Sequence, residues 1–520
     1  MAGIARNDDA ARAKARARRD WWGFMAMSIG AFMAVLDIQI VASSINQIQA
    51  GLSASIDEIQ WVQTAYLIAE VIAIPLSGYL ARLLSTRVYF VISAVGFTLA
   101  SVACALAWDL GSMVCFRVLQ GFLGGGMIPT SFAAMFLLFP DDRDRARPQL
   151  VGGMLTMMAP ALGPTVGGYI TAFVSWHWLF LINLVPGLIC AWGVWRLVDV
   201  DRPRPEMFRL TDWPGLLFMA TFLASLEYTL DEGPRHDWLS ERSVAITATL
   251  AVIGGALFFW RSFTAEHPIV DLRAFRNRNF ALTSMVSSLI GLCMFTLSYV
   301  TPVFLGQVRG YNSLQIGEIM MVQGLSMLFA APLVARLSRR MDPRLVIAIG
   351  LALLAIGAFV NGHLTAEWGY GEFLLPQILR GCGLIFAFIP MTNLALGTLP
   401  LSEVNNASGL YTLTRNLGGA VGLALVATMI NERTWLHWQT LAESTRASRE
   451  PVRAMLLGPH QAGTVAEDPL LTIARLAQQQ ATAMSYADIY LLLSAAVVFA
   501  LLFVPLLAKP RAAADLAHFE

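Results

Sequence analysis

GAFMAVLDIQIVASSI, residues 30–45, is an apolar run that carries one carboxylate, Asp37, with the amide of Gln39 two residues beyond it. The run starts further back, at Trp22, which makes it long enough to cross a bilayer core of about 30 Å as a helix of roughly 20 residues. Comparable runs recur near 60–80, 88–107, 112–138, 149–170, 178–198, 213–231, 244–263, 280–303, 314–335, 344–363, 372–396, 406–430 and 486–508, about fourteen with the first. The chain of 520 residues is 56% hydrophobic and 14% charged, with mean hydropathy +0.60. That is more apolar surface than a soluble core can hide, so the chain reads as an integral membrane protein. The runs are Leu-, Ala- and Gly-rich without period-two alternation, and in lipid each backbone polar group needs an internal partner. They are therefore helices rather than barrel strands, and the fold class is all-α.

The net charge of +1 carries no nucleic-acid signal, whereas the placement of the arginines is informative. Residues 1–20 hold Arg6, Arg12, Lys14, Arg16, Arg18 and Arg19, and no small-residue cleavage site follows the first run. They read as a basic cytoplasmic tail rather than a cleaved signal. Alternate loops then carry Arg82 and Arg87; Arg143, Arg145 and Arg147; Arg202, Arg204 and Arg209; Arg273, Arg276 and Arg278; and Arg336, Arg339, Arg340 and Arg344. The positive-inside rule places those loops and both termini in the cytoplasm. The segment 431–485 is a long outer connection, for which two readings stand: a solvated linker, or a docking surface for an extracytoplasmic partner. Its end, IARLAQQQATAMSYADIY (473–490), reads as a helix running into the last span.

Several function classes fall away. Lys14 and Lys509 are the only lysines, so there is no phosphate-binding lysine after a Gly-rich loop and no P-loop. Neither G-x-S-x-G nor H-E-x-x-H occurs, and an enzyme is not expected. The five cysteines are scattered through the spans, which suggests neither a metal site nor a disulfide framework, and no cofactor is implied.

Internal repeats give the domain plan. ARL at 81–83 returns at 335–337, GGMLTMMAPALG (152–163) aligns with SGLYTLTRNLGG (408–419), and RVLQG (117–121) resembles QILRG (377–381). The offsets of 254, 256 and 260 residues are nearly constant, as expected of two parallel halves related about the membrane normal. The plan is a tail (1–20), a six-helix half (21–200), an inserted two-helix segment (201–265), a second six-helix half (266–510) that includes the loop 431–485, and a tail (511–520).

Such an architecture places its site between the halves near mid-membrane, so intramembrane charges mark candidate sites. Asp37 lies roughly 24 Å along its helix from Trp21, and exposing it to lipid would cost at least a few kcal/mol. Glu70, Arg117, Glu227, Glu318, Arg380 and Arg415 are further charges within runs. Burial disfavours an ionised carboxyl and a nearby guanidinium favours it, so a change of pairing loads or releases a proton. The structural alternative is that Asp37–Arg117 or Glu70–Arg415 is only a buried pair. The small residues in GFLGGGMIP (121–129) and APALGPTVGG (159–168) read either as close helix packing or as faces on which the halves rock. Pro160 and Pro164 remove backbone hydrogen bonds within one span.

In order along the chain, LDIQIVASSI (36–45), CFRVLQGFLGGGMIP (115–129), APALGPTVGGYI (159–170), SWHWLFLINLVPG (175–187), HPIVDLRAFRNRNF (267–280) and NNASGLYTLTRNLGGAVG (405–422) occur. Together they resemble the major facilitator superfamily, and within it the fourteen-span drug:proton antiporters of the EmrB type. Two positions depart from the pattern: GYLARLLSTR (78–87) has Arg82 where most of the superfamily has Asp and Ser85 in place of Gly, and the first span has Gln39 and Ala42 where Thr and Asn are common. The resemblance implies export of small amphipathic organic compounds across the bacterial inner membrane in exchange for protons. It also implies work with a periplasmic adaptor and an outer-membrane channel. It points to Asp37 as the coupling or cation-recognition group, Glu70 as a second acid, Arg117 as the charge that tunes them and Glu227 as a contributor. Arg380 and Arg415 are candidate charge partners, and Gly121, Pro160, Gly163, Pro164, Gly167 and Gly168 form the conformational motif. A narrow exporter of a siderophore, fatty acid or other metabolite, and a non-transporting sensor, are the alternatives.

Overall fold

The structure is a computed structural model that describes residues 2–55, 58–338, 340–444 and 469–508. Among these residues every regular element is a helix, and fourteen long helices dominate. The first half holds α1 (Ala2–Ser43), α2 (Trp61–Leu84), α3 (Thr86–Ala105), α4 (Leu110–Leu138), α5 (Asp142–Phe173) and α6 (Trp178–Leu197). The pair α7 (Trp213–Glu232) and α8 (Arg242–Thr264) follows. The second half holds α9 (Arg278–Gln307), α10 (Ser313–Ser338), α11 (Pro343–Asn361), α12 (Tyr370–Leu396), α13 (Val404–Ser444) and α14 (Pro469–Leu501). Thirteen of these are long and apolar enough to cross a membrane. The remaining helix, α7, is 20 residues long but carries Glu227, Asp231 and Glu232, which lower its hydropathy.

Helix partners repeat between the halves. In the first, α1 packs on α5 and α6, α2 on α4, and α3 on α4 and α6; in the second, α9 packs on α13 and α14, α10 on α12, and α11 on α12 and α14. The halves meet where α5 packs on α10 and α2 on α13, and α7 lies against both α2 and α13. Exposed apolar side chains such as Leu99, Val252, Phe263 and Phe329 face outward, as a lipid-facing surface requires.

Local chemistry sets the helix ends. Asp109 caps α4 by accepting from the Ser112 N–H at 2.7 Å, which holds its carboxyl below the usual range. Asp201, beyond α6, reaches back to α3 and accepts from the Thr86 N–H and hydroxyl, both at 2.8 Å. Burial nevertheless pushes the Asp201 carboxyl up. The α4 run is split at Gly126 into Leu110–Gly125 and Met127–Leu138. The α1 start defines a tail face of the molecule; the opposite side is the far face. On the far face α13 and α14 continue past the other helices and stay paired, with His437 Nε2 2.9 Å from Asp488 and the Thr434 hydroxyl donating to Ser485. The helix expected at 473–490 is thus present, as part of α14. Residues 445–468 of the long connection and the tail 511–520 lie outside the described residues.

Candidate functional site

Asp37 on α1 is wholly buried, and its two carboxylate oxygens are shared among three donors. Arg117 Nη1 of α4 lies 2.6 Å from Oδ2, while Gln120 Nε2 and Asn183 Nδ2 donate to Oδ1 at 3.0 and 2.7 Å. Ser101 of α3 accepts from Gln120 at 2.6 Å and from Asn183 at 3.1 Å. Arg117 also donates from Nε to the Val62 carbonyl of α2 at 3.0 Å, and its guanidinium lies 4.2 Å from the Tyr66 ring centroid. Five helices therefore converge on one ion pair, a geometry that offsets part of the desolvation of both charges, while Arg117 Nη2 is buried without a partner among the described residues. Gln120 is one helical turn from Arg117 and so was within reach of sequence reasoning. Asn183 showed only as a lone amide in an apolar run, and Ser101 gave no signal.

A different set of charges faces the gap between the halves. Glu70 of α2, Glu227 of α7 and Arg415 of α13 line one cavity of about 60 Å³, together with Gln39 of α1 and Asn416 of α13. By that volume the cavity holds a few waters and no drug-sized molecule. Apart from Thr156 its walls are otherwise apolar and adaptable, with Met157, Met294, Phe295 and Leu423. Asp37 is not among the lining residues; Val35, Ile38 and Gln39 are. Arg415 is buried, its Nε and Nη1 make no hydrogen bond among the described residues, and its guanidinium lies 5.4 Å from the Phe388 ring centroid. Glu70 is backed by Gly125, where an added Cβ would lie 2.8 Å from the Glu70 carbonyl oxygen. The inserted helix α7 is pinned at the far face by a Thr64–Asp231 hydrogen bond, by a tilted Trp61–Tyr228 ring contact at 5.7 Å and by Arg235 donating to Gln60 at 3.1 Å. That anchoring is what brings Glu227 to the cavity. Arg380 lies elsewhere, in a cluster with Thr301 and Tyr490.

The halves touch on both sides of the cavity. Toward the far face the Thr165 hydroxyl of α5 donates to the Gly317 carbonyl of α10 at 2.7 Å, and a Cβ on Gly168 would stand 2.8 Å from the Ser313 carbonyl oxygen. Toward the tail face Gln149 donates to the Ile389 carbonyl at 2.6 Å, and Gly78 abuts the backbone of Asn405. Gly163 and Gly167 press α5 on α1 at Gln39 and Ser43, and Gly121 presses α4 on the Tyr66 carbonyl. Pro160 and Pro164 sit inside α5, which stays helical across both. Arg82 turns back to donate from Nε to the Gly78 carbonyl at 3.2 Å.

The model of the Major Facilitator Superfamily matches residues 27–423, more than half of the chain. The chain belongs to that superfamily. Within it the transporter is of the EmrB multidrug-efflux type. It is 49% identical over 428 residues to the colistin resistance protein EmrB of Acinetobacter baumannii, covering 82% of this chain and 83% of that one. It is 30% identical to the fatty acid resistance protein FarB of Neisseria gonorrhoeae, with 81% and 83% covered. Among solved structures, the proton:xylose symporter XylE superposes with TM-score 0.60 over 95% of this chain and 96% of that one, at 13% identity, a likeness of fold. The transporter is a multi-pass protein of the bacterial inner membrane that exports small molecules, and the two-half fold with an inserted pair is the superfamily fold with about fourteen helices.

Proposed function

We propose that the transporter is a proton-coupled antiporter of amphipathic organic compounds, with both termini cytoplasmic. The observation that carries this reading is the meeting of Glu70, Glu227 and Arg415 in one cavity between the halves. Two carboxyls and one guanidinium in a low-dielectric space accept a lipophilic cation most readily when a proton leaves, which makes proton and substrate alternative occupants. Glu70 and Glu227 are the exchanging groups in this proposal. Asp37 contributes through Arg117, whose contacts with Val62 and Tyr66 reach the helix that carries Glu70 one turn on. Gln39, a departure from the usual first-span residue, faces the same cavity and sets substrate preference. The glycine contact of α5 with α10 is the face on which the halves rock, with Pro160 and Pro164 easing α5. The arginine-bearing loops support the cytoplasmic assignment of the tail face. The paired α13–α14 extension, with Trp435 and Trp438 exposed, supports docking of a periplasmic adaptor that leads to an outer-membrane channel.

A second reading has a specific observation behind it. Arg415 faces the cavity with two unpaired nitrogens, as a site for an anionic amphiphile would, and the relative FarB is named for fatty acid resistance. One experiment separates the two. Lightly buffered purified protein at pH 7 is mixed with tetraphenylphosphonium or with a medium-chain fatty acid, and released or absorbed protons are followed with a pH dye. Proton release with the cation, lost in Glu70→Gln, is expected for drug antiport. A response to the fatty acid alone, lost in Arg415→Gln, transfers the assignment to the narrow exporter.

A further inference from the structure

The halves repeat one polar arrangement with a difference of charge. Asp37 on the first helix of its half meets Arg117 and Gln120 on the fourth helix and Asn183 on the sixth. In the second half Thr301, on the first helix α9, accepts from Arg380 Nη1 of the fourth helix α12 at 3.1 Å. Its hydroxyl also lies 2.8 Å from the Tyr490 hydroxyl on the sixth helix α14. The aligned segments RVLQG and QILRG set Arg380 opposite Gln120 and Gln377 opposite Arg117. The guanidinium is thus kept and moved by one turn, while a neutral hydroxyl stands in the place of the carboxylate. Arg380 is 1% exposed and forms no ion pair among the described residues. The titratable groups facing it are Tyr490 and Cys293, neither of them a carboxylic acid.

Hydrogen-bonding capacity around Arg380 is also unspent. Among the described residues its Nε has no partner, nor has either polar atom of the Asn361 amide or the Oε1 of Gln377, all buried. Helix α11 lies against the Arg380 stem at Gly357, where an added Cβ would be 3.1 Å from Arg380 Cγ, and Asn361 follows one turn on. A helical arginine leans toward the start of its own helix, which carries the guanidinium of Arg380 toward the level of Gln377 and Asn361. A buried guanidinium without a counter-charge is among the costliest arrangements in a membrane protein.

We propose that this cluster in the second half binds a halide-sized monovalent anion, held by Arg380 and the Asn361 amide, which supplies the negative charge that Asp37 supplies in the first half. The size follows from the surroundings: the central cavity is lined by Arg415 and does not reach Arg380, so a larger anion would have to part α9, α11, α12 and α14. The test is thermal unfolding of the purified full-length transporter, read by tryptophan fluorescence, in sodium chloride, bromide, acetate or gluconate at one ionic strength. Wild type is expected to gain a saturable rise of about 3–6 °C in chloride and bromide over gluconate. Arg380→Gln should show no such rise. Thr301→Asp, which builds the counter-charge into α9, should be as stable in gluconate as wild type is in chloride and gain nothing from halide. If Arg380→Gln does not fold, Thr301→Asp decides alone. An equal halide effect on wild type and Thr301→Asp, no halide effect on wild type, or stabilisation by acetate without bromide would overturn the proposal.

Discussion

Asp37 and Arg117 make sharply different predictions as a bonded pair than as independent charges. Removing one partner leaves the other buried and uncompensated, so Asp37→Asn and Arg117→Gln should each lose about 3–5 kcal/mol of stability. The double variant should lose markedly less than the sum, because no bare charge remains. Thermal unfolding of the three variants in detergent measures this, and additive losses would contradict it. Asp201, in the connection beyond α6, gives a pH test. Burial lifts its folded-state carboxyl above the unfolded value, so its contribution is greatest at low pH and is lost as pH rises through the folded value. The unfolding temperature of wild type relative to Asp201→Asn should therefore fall as pH rises from about 4 toward neutrality, and a pH-independent difference would contradict the assignment. At this scale the sequence made an intramembrane carboxylate conspicuous but could not name its partners. Asp37 and Asn183 stand 146 positions apart, and only Gln120, beside Arg117 on one helix face, was readable locally.

Helices were the most legible level, because length and apolarity are properties of each segment alone. The fourteen runs correspond to α1–α14, including acid-bearing α7, and the Gln-rich stretch is the start of α14. The split of α4 at Gly126 was not legible, since glycine is ordinary in tightly packed membrane helices. Which glycines matter was hidden as well: Gly168 meets the Ser313 backbone of the other half, whereas Gly163 and Gly167 meet α1 of their own. Gly168→Val should consequently hold α5 away from α10 at the far face. In a background carrying Thr165→Cys, alkylation from that face is expected to rise several-fold with Gly168→Val, while the protein still elutes as a folded species. Unchanged labelling would show that the contact does not close that face.

At the scale of the whole molecule, the near-constant offsets of the repeats anticipated two like halves, and the recurring helix partners follow that plan. What one chain could not disclose is which charges meet across it. Glu70, Glu227 and Arg415 come from helices of the first half, the inserted pair and the second half, and they share a cavity only because α7 is anchored beside α2 and α13. Cavity-facing Glu227 predicts that the inserted pair takes part in coupling, so Glu227→Gln should reduce substrate-driven proton movement with little loss of stability. The most direct test of the account is proton flux in liposomes containing the transporter, an internal pH dye and an imposed pH gradient, started by adding tetraphenylphosphonium. Wild type is expected to show substrate-dependent flux that is abolished in Glu70→Gln although that variant still binds the cation. Wild-type flux in both Glu70→Gln and Glu227→Gln would contradict it.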